Sequence, residues 1–210
     1  RQRPPIMTNS PNPVDISVVV PVYQEEDCIK AFIERATPTL EAIGGYEIIF
    51  CMDPSPDRTE EIIREEALRN SAVKLVTFSR RFCQPEATMA GVLNASGKAV
   101  VVIDVDLQDP PELIAEMYEK LGQGYDVVYA KRRSRSDTSW SAKLVRNPLY
   151  FVGYKVIAAL SETDIPRNTG DFRILSRRVI EELRYLPEGH GFLRGLVAFV
   201  GYKQTAVFFD

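Results

Sequence analysis

Residues 99–112, Ala99-Val100-Val101-Val102-Ile103-Asp104-Val105-Asp106-Leu107-Gln108-Asp109-Pro110-Pro111-Glu112, hold the end of one element, a turn and the start of the next. The first five are apolar without interruption and mostly β-branched, which suits a strand buried on both faces of a parallel sheet. Pro110, Pro111 and Glu112 signal a helix start. Between these, Asp104 and Asp106 stand at i and i+2 on an extended or turning segment, a spacing that suits a small hard cation, and Gln108 offers another oxygen two residues on. A plain acidic turn capping the next helix uses the same residues. The pattern alone leaves both readings open.

Outward from this stretch, strand-like and helix-like segments alternate. Residues 16–20 form another apolar, β-branched run, and Ile29, Phe32, Ile33, Ala36, Leu40 and Ile43 recur at helical spacing, interrupted by Pro38 and stopped by Gly44-Gly45. The pattern continues as strand 47–51, helix 59–70, strand 73–78, helix 85–95, strand 99–103, helix 111–121 and strand 126–129; residues 205–210 read as a further apolar strand. Such alternation predicts an α/β fold with a mostly parallel sheet flanked by helices, and places ligands at the carboxyl ends of the strands. Three loops then share one edge: residues 21–26 with Pro21, Tyr23 and Glu25, residues 53–57 led by Asp53, and the Asp104/Asp106 turn. Tyr23 also suits simple packing, and Asp53 a proline-rich turn. Their coincidence at equivalent strand ends favours a nucleotide pocket.

Composition sets the bounds. The chain has 210 residues, 45% hydrophobic and 26% charged, which is enough for one full core. A net charge of −3 argues against a general nucleic-acid partner. Cys28, Cys51 and Cys83 are odd in number and far apart, and with the single His190 they form no zinc pattern, so a reducing compartment is expected. Residues 1–14 read as a flexible leader without a signal-peptide core. No run of about 18 apolar residues appears, so nothing in the sequence spans a bilayer by itself.

Four motifs stand in order: Val19-Val20-Pro21-Val22-Tyr23-Gln24-Glu25-Glu26, Asp53-Pro54-Ser55-Pro56-Asp57-Arg58-Thr59, residues 104–112, and Gly170-Asp171-Phe172-Arg173. Together they resemble the family 2 glycosyltransferases of GT-A fold, and more narrowly the polyisoprenyl-phosphate hexosyltransferases, which include dolichol-phosphate mannose synthase and the bactoprenol glucosyltransferases. Residues 78–82 and 191–196 favour the bactoprenol branch. The resemblance covers residues 15–210 as one catalytic domain. It implies that Pro21, Tyr23, Glu25 and Asp53 hold the nucleotide base and ribose, that Asp104 orients the nucleotide end, and that Asp106 with Gln108 ligates Mg²⁺ or Mn²⁺. Asp171 would orient the acceptor or an arginine, or act as a base; an acidic turn paired with Arg173 is the plain alternative. The sequence departs from the family at Met52-Asp53-Pro54, where two aspartates and a glycine are frequent, at Cys83, where glycine is common, and at Glu86, where small residues are usual.

Lys131, Arg132, Arg133 and Arg135 form the densest basic cluster, just past the fifth strand. A solvated loop is the usual fate of such a run, but arginine forks match phosphate oxygens, and the resemblance assigns Arg132, Arg135 and Arg173 to an acceptor phosphate. Residues 137–160 mix aromatic and basic side chains around Trp140, Lys143 and Tyr154, and are expected as core helices or as an interfacial segment on the membrane. His190 reads as a turn residue between glycines.

The activity implied is metal-dependent, inverting transfer of a hexose, glucose in the bactoprenol branch, from a nucleotide-sugar such as UDP-glucose to a polyisoprenyl phosphate. Envelope or lipopolysaccharide glycosylation at the cytoplasmic face of the inner membrane is the implied setting, with a transmembrane region expected beyond residue 210 and a homo-oligomer as a further partner expectation. Two alternatives stand beside it. A sugar nucleotidyltransferase would want a glycine-rich, lysine-containing loop after the first strand, which residues 21–26 are not; a catalytically impaired membrane-binding scaffold is the non-enzyme reading.

Overall fold

The computed structural model describes residues 13–133, 170–186 and 193–209. In chain order its elements are β1 (Ile16–Val22), α1 (Ile29–Ile43), β2 (Tyr46–Met52), α2 (Thr59–Arg69), β3 (Val73–Thr77), α3 (Gln84–Asn94), β4 (Ala99–Val102), α4 (Leu113–Gly122), β5 (Val127–Arg132), β6 (Arg173–Ser176), α5 (Arg177–Tyr185), α6 (Leu193–Val200) and β7 (Gln204–Phe209). The strands form one sheet of order β3-β2-β1-β4-β6-β5-β7. Pairing is parallel throughout except at β6, which runs antiparallel to both β4 and β5. The expected elements are present within a residue or two, except that β5 runs three residues further than expected, to Arg132, so Lys131 and Arg132 lie on the strand and not past it. Sequence periodicity did not reveal β6, α5 or α6.

The uninterrupted apolar runs follow from two cores. Val18 and Val20 of β1, with Ile48, Phe50 and Val101, face a layer made by α1, α2 and α4, including Phe32, Leu40, Ile63, Ile114 and Met117. The intervening Val19, Ile49, Val100 and Val102 face the opposite layer of α3, α5 and α6, including Met89, Val92, Ile180 and Val197. A strand with both faces covered has no polar face to show, so alternation disappears from its sequence. Gly91 lets α3 press onto the sheet, since a Cβ there would lie 2.4 Å from Val19 Cγ1 and 2.6 Å from Cys51 Sγ. Pro38 sits inside α1 on an exposed face, where the carbonyl it leaves unpaired meets water.

At the amino end of the strands a buried polar cluster fastens β1, β2, β3 and the α3–β4 loop. Glu47 is 2% exposed. It accepts from Ser17 Oγ and Lys74 Nζ, and from the backbone and hydroxyl of Ser96 at 2.7 and 2.8 Å; Ser17 Oγ in turn accepts from Gly97 N at 2.8 Å. Burial pushes the Glu47 carboxyl upward, and its bonds to Lys74, Ser17 and Ser96 together outweigh that, so its pKa ends below the ordinary 4.5. A similar device holds β6: Asp126 accepts from Ser176 Oγ at 3.0 Å and from Arg178 Nη2. No helix among the described residues is long and apolar enough to cross a membrane.

Removing Glu47 strands several buried donors. Glu47→Ala is expected to cost about 3 kcal/mol in urea denaturation, and Lys74→Ala, whose ammonium is half solvated, about 1 kcal/mol. Because the folded pKa is depressed, the carboxylate's contribution is present above pH ~4.5 and is lost as pH falls through the lowered value. Glu47→Gln should therefore flatten the acid limb of the stability curve.

Candidate functional site

β1 and β4 are neighbours in the sheet, but the chain leaves β1 toward β2 and leaves β4 toward β5, so the two connections diverge at their carboxyl ends. Such a point opens a crevice. Here it is a cleft of about 320 Å³ that takes in Pro21, Tyr23, Glu25, Asp53, Asp104 and Asp106. All the nucleotide-binding expectations therefore meet in one place. A second cleft of about 230 Å³ adjoins it through Asp104 and Asp106 and takes in Gln108, Asp109, Arg132 and Gly170.

Each loop is held in a way that sets its side chains. In the turn after β4, Leu107 has φ 60° and the Asp106 carboxylate accepts from Gln108 N at 3.0 Å, a side-chain-closed turn of the kind aspartate forms. Gln108 is tied again through its carbonyl, which accepts from Arg132 Nη2 at 2.6 Å. The loops after β1 and β2 are laced together: Glu25 N donates to Thr59 Oγ1 at 2.9 Å, Gln24 N to Ser55 Oγ at 3.1 Å, and Arg58 N to Glu26 at 2.8 Å. Asp57 closes that turn by accepting from Thr59 Oγ1 at 2.7 Å.

Asp53 is 4% exposed, and its two oxygens accept from Phe82 N at 2.9 Å and Cys83 N at 2.8 Å. It lines the cleft and also pins the loop leading into α3. Cys83, just ahead of α3, has φ 75° and ψ 168°. That region is essentially reserved for glycine, which accounts for the residue type common at this position in the family the sequence resembles. Gln84 then reaches across to donate to Asp104 Oδ1 at 2.9 Å.

The electrostatics are those of crowded carboxylates. Asp104 is pushed up to about 6, first by burial and then by the negative charges of Asp171, Asp106, Asp109 and Glu25. Asp109 is also raised, by burial and by Asp106 and Asp171, despite Arg132 pulling the other way. A cluster that resists its own ionisation fits a divalent cation. Among the described residues no three Cys, His, Asp or Glu side chains converge as a metal cage. Mg²⁺-type sites commonly use one or two carboxylates with substrate phosphates completing the shell; Asp106 and Gln108, the residues expected to hold such an ion, both line the second cleft.

Arg132 lines the second cleft and stacks over Phe209 at 5.3 Å. Arg173 is 4% exposed and donates to the carbonyls of Asp171 at 3.2 Å and Gly170 at 2.9 Å, with its guanidinium 3.9 Å from the Asp171 carboxylate. It braces the turn that carries Asp171. Arg135, residues 137–160 and His190 lie outside the described residues. Sequence reasoning assigned no role to Arg81, Gln84 or Asp109. Arg81 lies on the loop after β3 and Gln84 opens α3; Arg81 and Asp109 each stand within a quoted motif, and no local spacing signals the contacts they or Gln84 make.

The fold agrees with the comparisons. The family model of the Glycosyl transferase family 2 matches residues 17–184, and the chain belongs to that family. It is 44% identical over 195 residues to the uncharacterized glycosyltransferase YkcC of Bacillus subtilis (strain 168), covering 92% of this chain and 59% of that protein. It is 41% identical over 194 residues to the bactoprenol glucosyl transferase of Shigella phage SfV, covering 91% and 62%. The chain thus spans about three fifths of the length of these relatives. The fold is GT-A: glucosyl-3-phosphoglycerate synthase from Mycobacterium tuberculosis, solved with Mn²⁺, UDP and phosphoglyceric acid, superposes with a TM-score of 0.61 at 22% identity, over 93% of this chain and 68% of that one.

The strain at Cys83 has a measurable consequence. Cys83→Gly relieves a φ that costs a side chain about 1–3 kcal/mol while loosening the unfolded chain by somewhat less. A net gain of about 1 kcal/mol, or 2–4 °C in Tm for a chain of this size, is expected by thermal denaturation.

Proposed function

We propose that this protein transfers a hexose, glucose in the first instance, from a nucleotide-sugar such as UDP-glucose to a polyisoprenyl phosphate at the cytoplasmic face of the membrane. The observation that carries the reading is the pair of joined clefts at the β1/β4 divergence, one lined by nucleotide-type residues and the other by Arg132, with Asp104 and Asp106 between them. The 41% identity to a bactoprenol glucosyl transferase supports the acceptor class. The glycosyltransferase family goes with glycosyl transfer and not with nucleotidyl transfer.

In this reading the donor lies over Pro21, Tyr23, Glu25 and Asp53, with its diphosphate toward Asp104 and Asp106. A divalent cation held by Asp106 and Gln108 would neutralise charge that develops on the departing diphosphate. Arg132, with Arg135, receives the acceptor phosphate. An oxygen of that phosphate attacks the anomeric carbon, the bond from that carbon to the diphosphate oxygen breaks, and its electron pair leaves with the nucleoside diphosphate. The configuration inverts. A phosphate monoester with a second pKa of about 6 is already deprotonated at neutral pH, so no strong base is required. Asp171, braced by Arg173, orients the acceptor side of the site.

The test uses the full-length protein with UDP-glucose, Mn²⁺ and a polyprenyl phosphate. Asp106→Asn is expected to lower transfer by at least about a hundredfold without loss of fold, and Gln108→Ala by less, because water can replace a neutral ligand. Full activity of Asp106→Asn with unchanged metal dependence would remove Asp106 from the metal shell.

The two clefts are expected to separate in a second variant. Arg132→Ala should raise the KM for the lipid phosphate about tenfold or more while leaving donor affinity near that of the unmodified protein. Equal losses for donor and acceptor would place Arg132 on the donor diphosphate instead.

A further inference from the structure

The first cleft has a charge imbalance. Glu25, Asp53, Asp104 and Asp106 contribute four carboxylates, whereas Arg81 is the single cation among the described residues that line it. Among the described residues no carboxylate pairs with Arg81. Its guanidinium instead lies over the ring of Tyr23, with Cζ 4.2 Å from the ring centroid. The side chain is exposed, but its root is fixed, because Asp53 binds the amides of the next two residues, Phe82 and Cys83, at 2.9 and 2.8 Å. Arg81 is thus a movable cation on an immobile stem, resting on the ring expected to meet the nucleobase.

The separation matters. A planar base inserted between two flat groups needs them roughly 7 Å apart, twice an ordinary contact distance. At 4.2 Å the guanidinium and a base cannot share that face of Tyr23. An exposed cation–π contact is weak and exchanges readily, whereas a guanidinium meeting phosphate oxygens makes paired, charge-assisted hydrogen bonds.

Building on the reading of this cleft as a nucleotide-sugar site, we propose that Arg81 is a donor-diphosphate cation that covers Tyr23 until a nucleoside diphosphate arrives. The base takes the face of the ring that Arg81 leaves, and the guanidinium turns to the diphosphate. A nucleoside without phosphates must displace Arg81 and receives nothing in exchange. Selectivity for diphosphates therefore comes from a side chain that competes with the base and cooperates with the phosphates.

Titration of UDP and of uridine onto the full-length protein with Mn²⁺, with GDP and guanosine in parallel, tests this. In Arg81→Ala the Kd of the diphosphate should rise about ten- to hundredfold, the loss expected for hydrogen bonds to a charged group. The Kd of the nucleoside should stay the same or fall, because the ring is uncovered. Arg81→Lys, which keeps the charge without the flat fork, should lie between. A merely structural arginine would weaken nucleoside and diphosphate by the same factor, and that result overturns the proposal, as does a diphosphate Kd within about twofold of the unmodified protein. Should the unmodified protein bind neither UDP nor GDP, the nucleotide-sugar reading itself falls and this inference with it; binding that Arg81→Ala leaves untouched removes Arg81 alone.

Discussion

β1 and β4 lie side by side, parallel and buried on both faces, while the chain departs from them in opposite directions. Everything at the site depends on that divergence. The loop after β1 delivers Tyr23 and Glu25, and the turn after β4 delivers Asp104 and Asp106, with an open crevice between them because no crossover fills it. The Glu47 cluster at the far end of the strands supports this arrangement by joining β1, β2, β3 and the α3–β4 loop through one buried carboxylate. At the amino ends a buried carboxylate is surrounded by donors. At the carboxyl ends Asp104 instead sits among Asp171, Asp106, Asp109 and Glu25.

That asymmetry is physical evidence for what the cleft accommodates. A buried carboxylate with donors around it, such as Glu47, has its pKa lowered; a partly buried one among other carboxylates, such as Asp104, has it raised to about 6. A fold does not gain stability from the second arrangement. It fits a positive charge brought from outside.

β6 shows what insertion of a single strand adds to the second cleft, whose lining includes Gly170 just ahead of it. By running antiparallel between β4 and β5 it brings Asp171, just ahead of it, to the edge where Asp104 and Arg132 end. Arg173 on β6 is buried and spends its guanidinium on the backbone of residues 170–171, so the turn is held from beneath. Asp53 acts similarly on residues 82–83. Two side chains that the sequence suggested as ligand contacts therefore also build the loops on which other contacts stand.

The sequence by itself determined the alternation of strands and helices, because a strand covered on both faces must be apolar throughout and a helix covered on one face must repeat at 3.6 residues. It also determined the Asp104-Val105-Asp106 turn and the loops around Tyr23 and Asp53, since strand ends in such a fold share an edge. Only the tertiary structure decided that β6 runs antiparallel: direction leaves no trace in a four-residue strand that begins with arginine. Only it decided the meeting of Arg81 with Tyr23 and of Gln84 with Asp104. Those contacts join the loop after β3 and the start of α3 to loops after other strands, and no local period or spacing records which side chains the folding of distant segments will bring face to face.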